Sequence, residues 1–249
     1  MNPVLRENLD VLFDQGHVLS IYFYLLALLA PVAFVALYSQ SLGDQMWRGS
    51  AMLLKVCMTA AVVLIVYFAL RLANQEYAPE RFKPLASWLH ERRRGVGIVA
   101  RGRLASLLVH IACLVLLTAP FLIWAGAISH TPLPRLVAML ALIPVYAFCY
   151  GVWGLVTSVL YERERETREF AARLLVFLVV VAALAVYLPL NPVVYVLGVL
   201  GQEELEPLSI AGSRWSADTI HFSFHFVLGS CGLIAHRRVL KHVLERGHR

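Results

Sequence analysis

His221 and His225 are the side chains of this sequence best suited to chemistry inside an apolar segment. They lie four residues apart, so they share one helix face, and this spacing can chelate a divalent metal. However, two histidines without a nearby carboxylate or cysteine make an incomplete metal shell. A bis-histidine haem would need a partner at matching depth, and His110 lies at a different depth in the topology argued below. We therefore predict no metal and no cofactor on this chain, and we keep a small membrane redox protein using haem as an alternative.

Sequence motifs for catalysis are missing. The chain has no GxxxxGK[ST] phosphate-binding loop, and it also lacks GxGxxG, HExxH and GxSxG. The four cysteines lie in apolar segments without CxxC or zinc-like spacing, so we expect neither a disulfide nor a structural metal. We predict no catalytic residue, and we expect that this chain is not an enzyme and does not hydrolyse ATP by itself.

The segments that carry these residues are those of a membrane protein. Of the 249 residues, 59% are hydrophobic and 15% are charged, whereas soluble domains carry about 25% charge. A bilayer span needs about 20 predominantly apolar residues. Lys55 can extend its charge to the interface, so the second span is predicted over 49–70, and the fifth is predicted to end near Pro189 before a short re-entrant or interfacial helix at 193–200. The uncharged blocks predict six transmembrane helices in an all-α integral membrane protein: 18–38, 56–70, 104–134, 136–160, 174–202 and 219–235.

The basic residues predict the orientation. Of the 22 Lys and Arg residues, 18 fall in segments 1–17, 71–103, 161–173 and 236–249. By the positive-inside rule these segments and both termini are cytoplasmic, and 190–218 is an outer loop. The formal charge of +6 then reflects membrane topology, so no nucleic-acid partner is expected. We predict a single transmembrane domain over 1–249, located in the cell (inner) membrane as a multi-pass protein.

Three cytoplasmic segments are candidates for interaction. Residues 1–17 are predicted to form an amphipathic interfacial helix in contact with lipid. In 71–103, Pro84 can open a helix with Trp88 and Leu89 beside clustered arginines, which is either a surface helix that fixes topology or a docking element. The sign-alternating stretch 162–169 is predicted to extend the fourth or fifth helix into water, as a solvated charged face or as a second contact.

The order of several short motifs resembles a known family. They are an Asn-Pro-Val-Leu-Arg-Glu start at 2–7, a Glu-Arg at 80–81, an Arg-Gly-Arg at 101–103 before the third span, and a Leu-Asn-Pro at 190–192 after the fifth. In this order the chain resembles the membrane-spanning permease subunits of ATP-binding-cassette transporters of the type-2 exporter class. Such families move lipid-linked glycans, lipids, peptides or drugs, and some members support metalloenzyme maturation or surface motility.

The resemblance implies partners and contact residues. A separate ATPase (nucleotide-binding) chain would bind ATP and Mg²⁺, and a second permease copy or homologue would complete the pathway. A non-transporting membrane anchor or assembly subunit of a larger complex is the alternative. The implied ATPase-coupling residues are Trp88, Leu89, Arg92, Arg93 and Arg94 in the first cytoplasmic loop, and Arg163, Glu164 and Arg165 in the second.

Overall fold

A computed structural model gives the fold of residues 2, 4–6, 9, 16–42, 52–74, 95–161, 164–202, 205–210 and 212–246. The described residues are helical apart from short connections and one hairpin. Its elements are α1 (Gly16–Leu42), α2 (Met52–Asn74), α3 (Val96–Ile128), α4 (Leu133–Leu160), α5 (Arg165–Val186), a 3-10 turn (Leu188–Leu190), α6 (Pro192–Gly201), β1 (Leu208–Ile210), β2 (Ser213–Trp215) and α7 (Ala217–Arg246).

Among the described residues, the five helices α1 to α5 are long and apolar enough to cross a membrane. Large apolar side chains cover their outer surfaces, such as Leu116, Phe177 and Val186, whose exposed fractions are 70%, 61% and 71%. In water such a surface would drive aggregation, whereas lipid solvates it. The predicted class of all-α multi-pass membrane protein is therefore confirmed, while six spans, an amphipathic N-terminal helix and cytoplasmic termini stay predictions.

Helix α2 is the most buried of the five, and it packs against α1, α3 and α4. Close contact with α4 is possible because α4 has glycine where the helices meet: a Cβ atom added to Gly154 would lie 2.5 Å from the Leu70 carbonyl oxygen. At the other end of α2, the Leu54 amide donates to the Ser129 hydroxyl, 3.3 Å away at the end of α3. Small residues and satisfied polar groups of this kind let apolar helices associate in lipid.

Helix α7 runs beside α4 in the same direction over most of its length. Its first turns contact α4 at Tyr146, and Leu240, near its other end, packs in a cluster with Val159. We call the end of the bundle with Asn74, Val159 and Leu240 the basic end, because the predicted cytoplasmic segments adjoin it. We call the opposite end, which holds the 3-10 turn, α6 and the hairpin, the capped end.

The capped end holds the 3-10 turn, α6 and the hairpin. Asn191 caps α6, because its side-chain oxygen accepts from the Val193 amide at 2.9 Å and Pro192 occupies the first helical position. In the hairpin, Leu208 pairs with Trp215 in antiparallel register, and Gly212 takes a φ of 82° that favours glycine. A helix therefore stands where the sequence predicts the short one at 193–200, and its re-entrant or interfacial position stays a prediction.

Helix ends differ from the edges of the apolar blocks. Helix α2 continues to Asn74, beyond the predicted 49–70, because Leu72 and Ala73 are buried and the buried Asn74 side chain is hydrogen-bonded by other helices. Helix α5 ends at Val186, where Tyr187 is extended, three residues before Pro189. Pro189 has no backbone amide hydrogen, so it cannot continue the helical hydrogen-bond ladder of α5.

Candidate functional site

Most of the predicted ATPase-coupling residues lie outside the described ranges. These are Trp88, Leu89, Arg92, Arg93 and Arg94 in 71–103, and Arg163 in the second loop. Glu164 and Arg165 are described, and they stand at the start of α5, so the charged stretch extends the fifth helix rather than the fourth. Glu164 is exposed at the basic end.

An exposed groove follows on α5, and we call it the α5 surface. It is lined by Glu166, Glu169, Phe170 and Arg173. Glu169 and Arg173 form an ion pair at 3.0 Å one turn apart, and Phe170 beside them is 63% exposed. An exposed aromatic ring next to charged side chains is a composition typical of protein interfaces.

Arg168, between these residues in sequence, behaves differently. Its side chain is buried, so the stretch 162–169 is not a uniformly solvated face as predicted. Its carbonyl accepts from the Asn74 side-chain amide at 3.3 Å, and Asn74 in turn accepts from the Thr157 hydroxyl at 3.1 Å. This polar cluster joins α2, α4 and α5 at the basic end. Helical periodicity explains the burial, since Arg168 shares a face with Ala172, which is also buried.

The N-terminal residues pack on the same end. The Asn2 side-chain amide donates to the Ile98 carbonyl at 2.8 Å, and its oxygen accepts from the Val4 amide at 3.0 Å. Val4 then lies so close to Gly102 that an added Cβ atom there would come within 2.5 Å of the valine Cβ. The glycine of the Arg-Gly-Arg motif thus has a steric role, because it makes room for the N-terminal segment.

Two tyrosine–histidine pairs connect α4 and α7, and we call them the outer pair and the inner pair. In the outer pair, His221 Nδ1 lies 2.6 Å from the Pro189 carbonyl oxygen, and its Nε2 lies 2.8 Å from the Tyr146 hydroxyl. A carbonyl oxygen can only accept, so the proton is on Nδ1, and Nε2 accepts from the tyrosine. Both ring nitrogens of His221 are therefore engaged by the protein.

The inner pair, His225 and Tyr150, lies one helical turn deeper. His225 Nδ1 donates to the His221 carbonyl at 2.9 Å, which leaves Nε2 as an acceptor. The Tyr150 ring lies 6.0 Å from the His225 ring, centroid to centroid, in an edge-to-face arrangement. His225 Nε2 and the Tyr150 hydroxyl are both buried without a hydrogen-bond partner among the described residues.

The outer pair is tied to the capped end. The Tyr195 ring of α6 stacks on His221 with centroids 3.8 Å apart, and its hydroxyl donates to Asp218 at 2.8 Å. Nearby, the Tyr187 hydroxyl donates to the Glu206 carbonyl. Burial raises the pKa of the Tyr187 phenol, and the carboxylates of Glu206 and Asp218 raise it further, so this donor keeps its proton at neutral pH. Together these contacts hold α6 over the end of the bundle.

His110 takes part in none of these contacts. His110 is a buried residue of α3, and its Nδ1 lies 2.6 Å from the Tyr22 hydroxyl of α1. Within the described ranges, no three His, Cys, Asp or Glu side chains lie close enough together to hold a metal ion. The described cysteines are free thiols. His110 hydrogen-bonds a tyrosine of α1, His221 hydrogen-bonds a tyrosine of α4 and the Pro189 carbonyl, and His225 bonds the backbone of its own helix.

Comparison of the chain with models of protein families, with curated proteins and with solved structures finds no match in any of the three.

Sequence reasoning missed the partners of the histidines. Tyr146 and Tyr150 are four residues apart on α4, which is the same spacing as His221 and His225 on α7. The matching spacing in two apolar segments is visible in the sequence, but it does not determine the register in which the two helices pack. Asn74 and Arg168 were also missed, because each lies at the edge of an apolar block.

Proposed function

We propose that this chain is the permease subunit of an ATP-driven exporter of the type-2 ATP-binding-cassette class. It forms the translocation pathway with a second copy or a homologue, and it is driven by a separate ATPase chain that binds ATP and Mg²⁺. The motif order supports this proposal, as does the lack of a phosphate-binding loop in a chain whose described fold is a bundle of apolar helices.

One observation carries the proposal. The Asn74 side chain bonds the Arg168 carbonyl at 3.3 Å, so the end of α2 lies beside the start of α5. The segment that follows α2 is 75–94, which contains Trp88 and the arginine cluster, and the segment that precedes α5 contains Arg163. Both implied coupling segments therefore leave the bundle at the same end, as a single ATPase docking there requires. The α5 surface offers an exposed aromatic ring on that end.

We further infer that α7 is the sixth span. We also infer that the protein lies in the inner membrane and that the basic end is on its cytoplasmic side. Helix α7 has 30 residues, about 45 Å at 1.5 Å per residue, which exceeds the thickness of the hydrocarbon core. It is less apolar than the other five because it buries three histidines and ends in basic residues. Such residues are tolerated in a span when they face the bundle interior or the interface.

The test is co-purification of the ATPase with the tagged chain in mild detergent, for Trp88→Ala and for Trp215→Ala as a matched control. Trp215 is an exposed tryptophan of the hairpin at the capped end, so its loss should leave ATPase binding unchanged. Truncating a central interface tryptophan removes on the order of 2 kcal/mol or more, so Trp88→Ala should weaken the ATPase affinity roughly thirtyfold. Arg93→Ala should have a smaller effect, because rim charges act mainly on encounter.

Two outcomes would count against the assignment. If Trp88→Ala retains the ATPase and its turnover, the helix after Pro84 is only a surface anchor. If the folded parent chain itself binds no ATPase and instead purifies with other membrane subunits, the anchor or assembly role replaces transport.

A further inference from the structure

The outer and inner pairs are equivalent positions on two helices that run in parallel. In both, a tyrosine of α4 faces a histidine of α7 with the same separation in sequence, 75 residues. In both, the histidine donates Nδ1–H to a backbone carbonyl, which leaves Nε2 as an acceptor. The outer pair closes with a direct O–H···N bond of 2.8 Å. In the inner pair, no hydrogen bond joins the Tyr150 hydroxyl and His225 Nε2.

The inner pair contains two buried polar atoms, His225 Nε2 and the Tyr150 hydroxyl, that have no hydrogen-bond partner among the described residues. His225 is 1% exposed and Tyr150 is 2% exposed, so bulk solvent reaches neither side chain. Leaving a buried donor or acceptor unsatisfied costs about 1–3 kcal/mol, and buried polar groups are for this reason nearly always paired. The pair offers one strong acceptor and one hydroxyl that can donate or accept. A third buried group, the Trp153 indole N–H, lies three residues further on the same face of α4 and also has no hydrogen-bond partner in the described part of the chain.

We propose that the inner pair is a binding site for an internal water molecule, which bridges His225 Nε2 and the Tyr150 hydroxyl. Water donates to the imidazole lone pair and accepts from the phenol, so it complements both atoms at once. Buried waters typically make about three hydrogen bonds to groups that the protein leaves unpaired. The α4–α7 interface is then closed directly at the outer pair and through water one turn deeper. This inference does not depend on the proposed transport function.

The first test is the sign of a stability change. Tyr150→Phe and Tyr146→Phe are compared with the parent chain by reversible unfolding in detergent. Tyr146→Phe removes a direct bond and orphans His221 Nε2, so it should be destabilising and sets the scale. With a bridging water, Tyr150→Phe should also raise the unfolding equilibrium constant, by about fivefold, the effect of one hydrogen bond. If Tyr150→Phe leaves this constant unchanged or lowers it, the hydroxyl was unbonded and the proposal is wrong.

The second test separates a bridging water from a direct bond, and it needs no variant of Tyr150. The full chain is labelled with ¹⁵N-histidine, reconstituted in phosphatidylethanolamine and phosphatidylglycerol vesicles, and examined by water-edited solid-state NMR. A His225→Phe variant assigns the resonance. Magnetisation should pass from water to His225 Nε2 and much more weakly to His221 Nε2, which Tyr146 occupies. Equal or absent transfer at the two nitrogens overturns the proposal, even if Tyr150→Phe is destabilising.

Discussion

Replacing Gly154 by alanine should disrupt the central helix contact of the bundle. The added Cβ atom would lie 2.5 Å from the Leu70 carbonyl oxygen and 2.9 Å from the Ala73 Cβ. Real Cβ atoms almost never come this close to another heavy atom, and the nearest obstacle is backbone, which cannot rotate away. Helices α2 and α4 would have to separate by several tenths of an ångström along a contact that is otherwise close-packed.

The size of the effect follows from two opposing contributions. Overpacking of a well-packed core costs about 1–3 kcal/mol. Alanine in a helix interior gains up to about 1 kcal/mol over glycine, which partly offsets that cost. Gly97 on α3 supplies the control, because nothing lies within 4 Å of a Cβ atom there. Gly97 lies in the first turn of α3, where alanine gains less over glycine than in a helix interior. Relative to Gly97→Ala, Gly154→Ala should therefore be destabilising by the packing cost of about 1–3 kcal/mol, less an interior propensity gain of up to about 1 kcal/mol.

The assay is unfolding of both variants in the same detergent, followed by circular dichroism and by fluorescence-detected size exclusion. Gly154→Ala should unfold at a lower temperature than the parent, and Gly97→Ala at the same or a higher temperature. Equal midpoints for the two alanine variants would refute the close approach of α2 and α4, and with it the relative placement of the helix ends on which the functional argument depends.

Two further predictions follow from the basic end and from the topology. Asn74→Ala should be destabilising by about 1–3 kcal/mol in detergent unfolding, because it removes the amide that pairs the Arg168 carbonyl and the Thr157 hydroxyl. Thr157→Val should be less destabilising, since it removes only one of these bonds. A larger loss of stability for Thr157→Val than for Asn74→Ala would contradict the proposed hydrogen bonds of Asn74. In intact cells, a membrane-impermeant thiol reagent should label Ser209→Cys, on the exposed hairpin, and leave His90→Cys unlabelled. The opposite labelling pattern would show that the predicted orientation of the chain in the membrane is wrong.

The apolar helices could be predicted from the sequence because lipid imposes a simple requirement. A span must be apolar over about 20 residues, and runs of this kind are visible without any knowledge of packing. The short helix predicted at 193–200 is present as 192–201, because the apolar run is too long for one span and prolines interrupt it. The ends of α2 and α5 could not be predicted from apolar residues alone, because Asn74 and Arg168 are polar and still buried.

The tyrosine–histidine pairs could not be predicted, because they depend on the register between α4 and α7. A hydrogen bond from Tyr146 to His221 joins residues 75 positions apart, and no local pattern determines how two helices align along their length. The i, i+4 spacing was recognised on α7 and suggested metal chelation. The same spacing on α4 supplies Tyr146, which donates to His221 Nε2, and Tyr150, whose ring lies 6.0 Å from the His225 ring.

The central claim is that a separate ATPase drives this chain, and ATP hydrolysis by the purified complex tests it most directly. A tagged full-length chain is isolated from its own membrane in mild detergent, and Mg²⁺-dependent ATP hydrolysis is measured in the monodisperse fraction. The chain has no GxxxxGK[ST] motif, and we expect the activity to come from a bound partner. We predict hydrolysis that co-elutes with the chain and is lost with Trp88→Ala but kept with Trp215→Ala. A folded, monodisperse parent chain that carries no ATPase and hydrolyses no ATP would contradict the account.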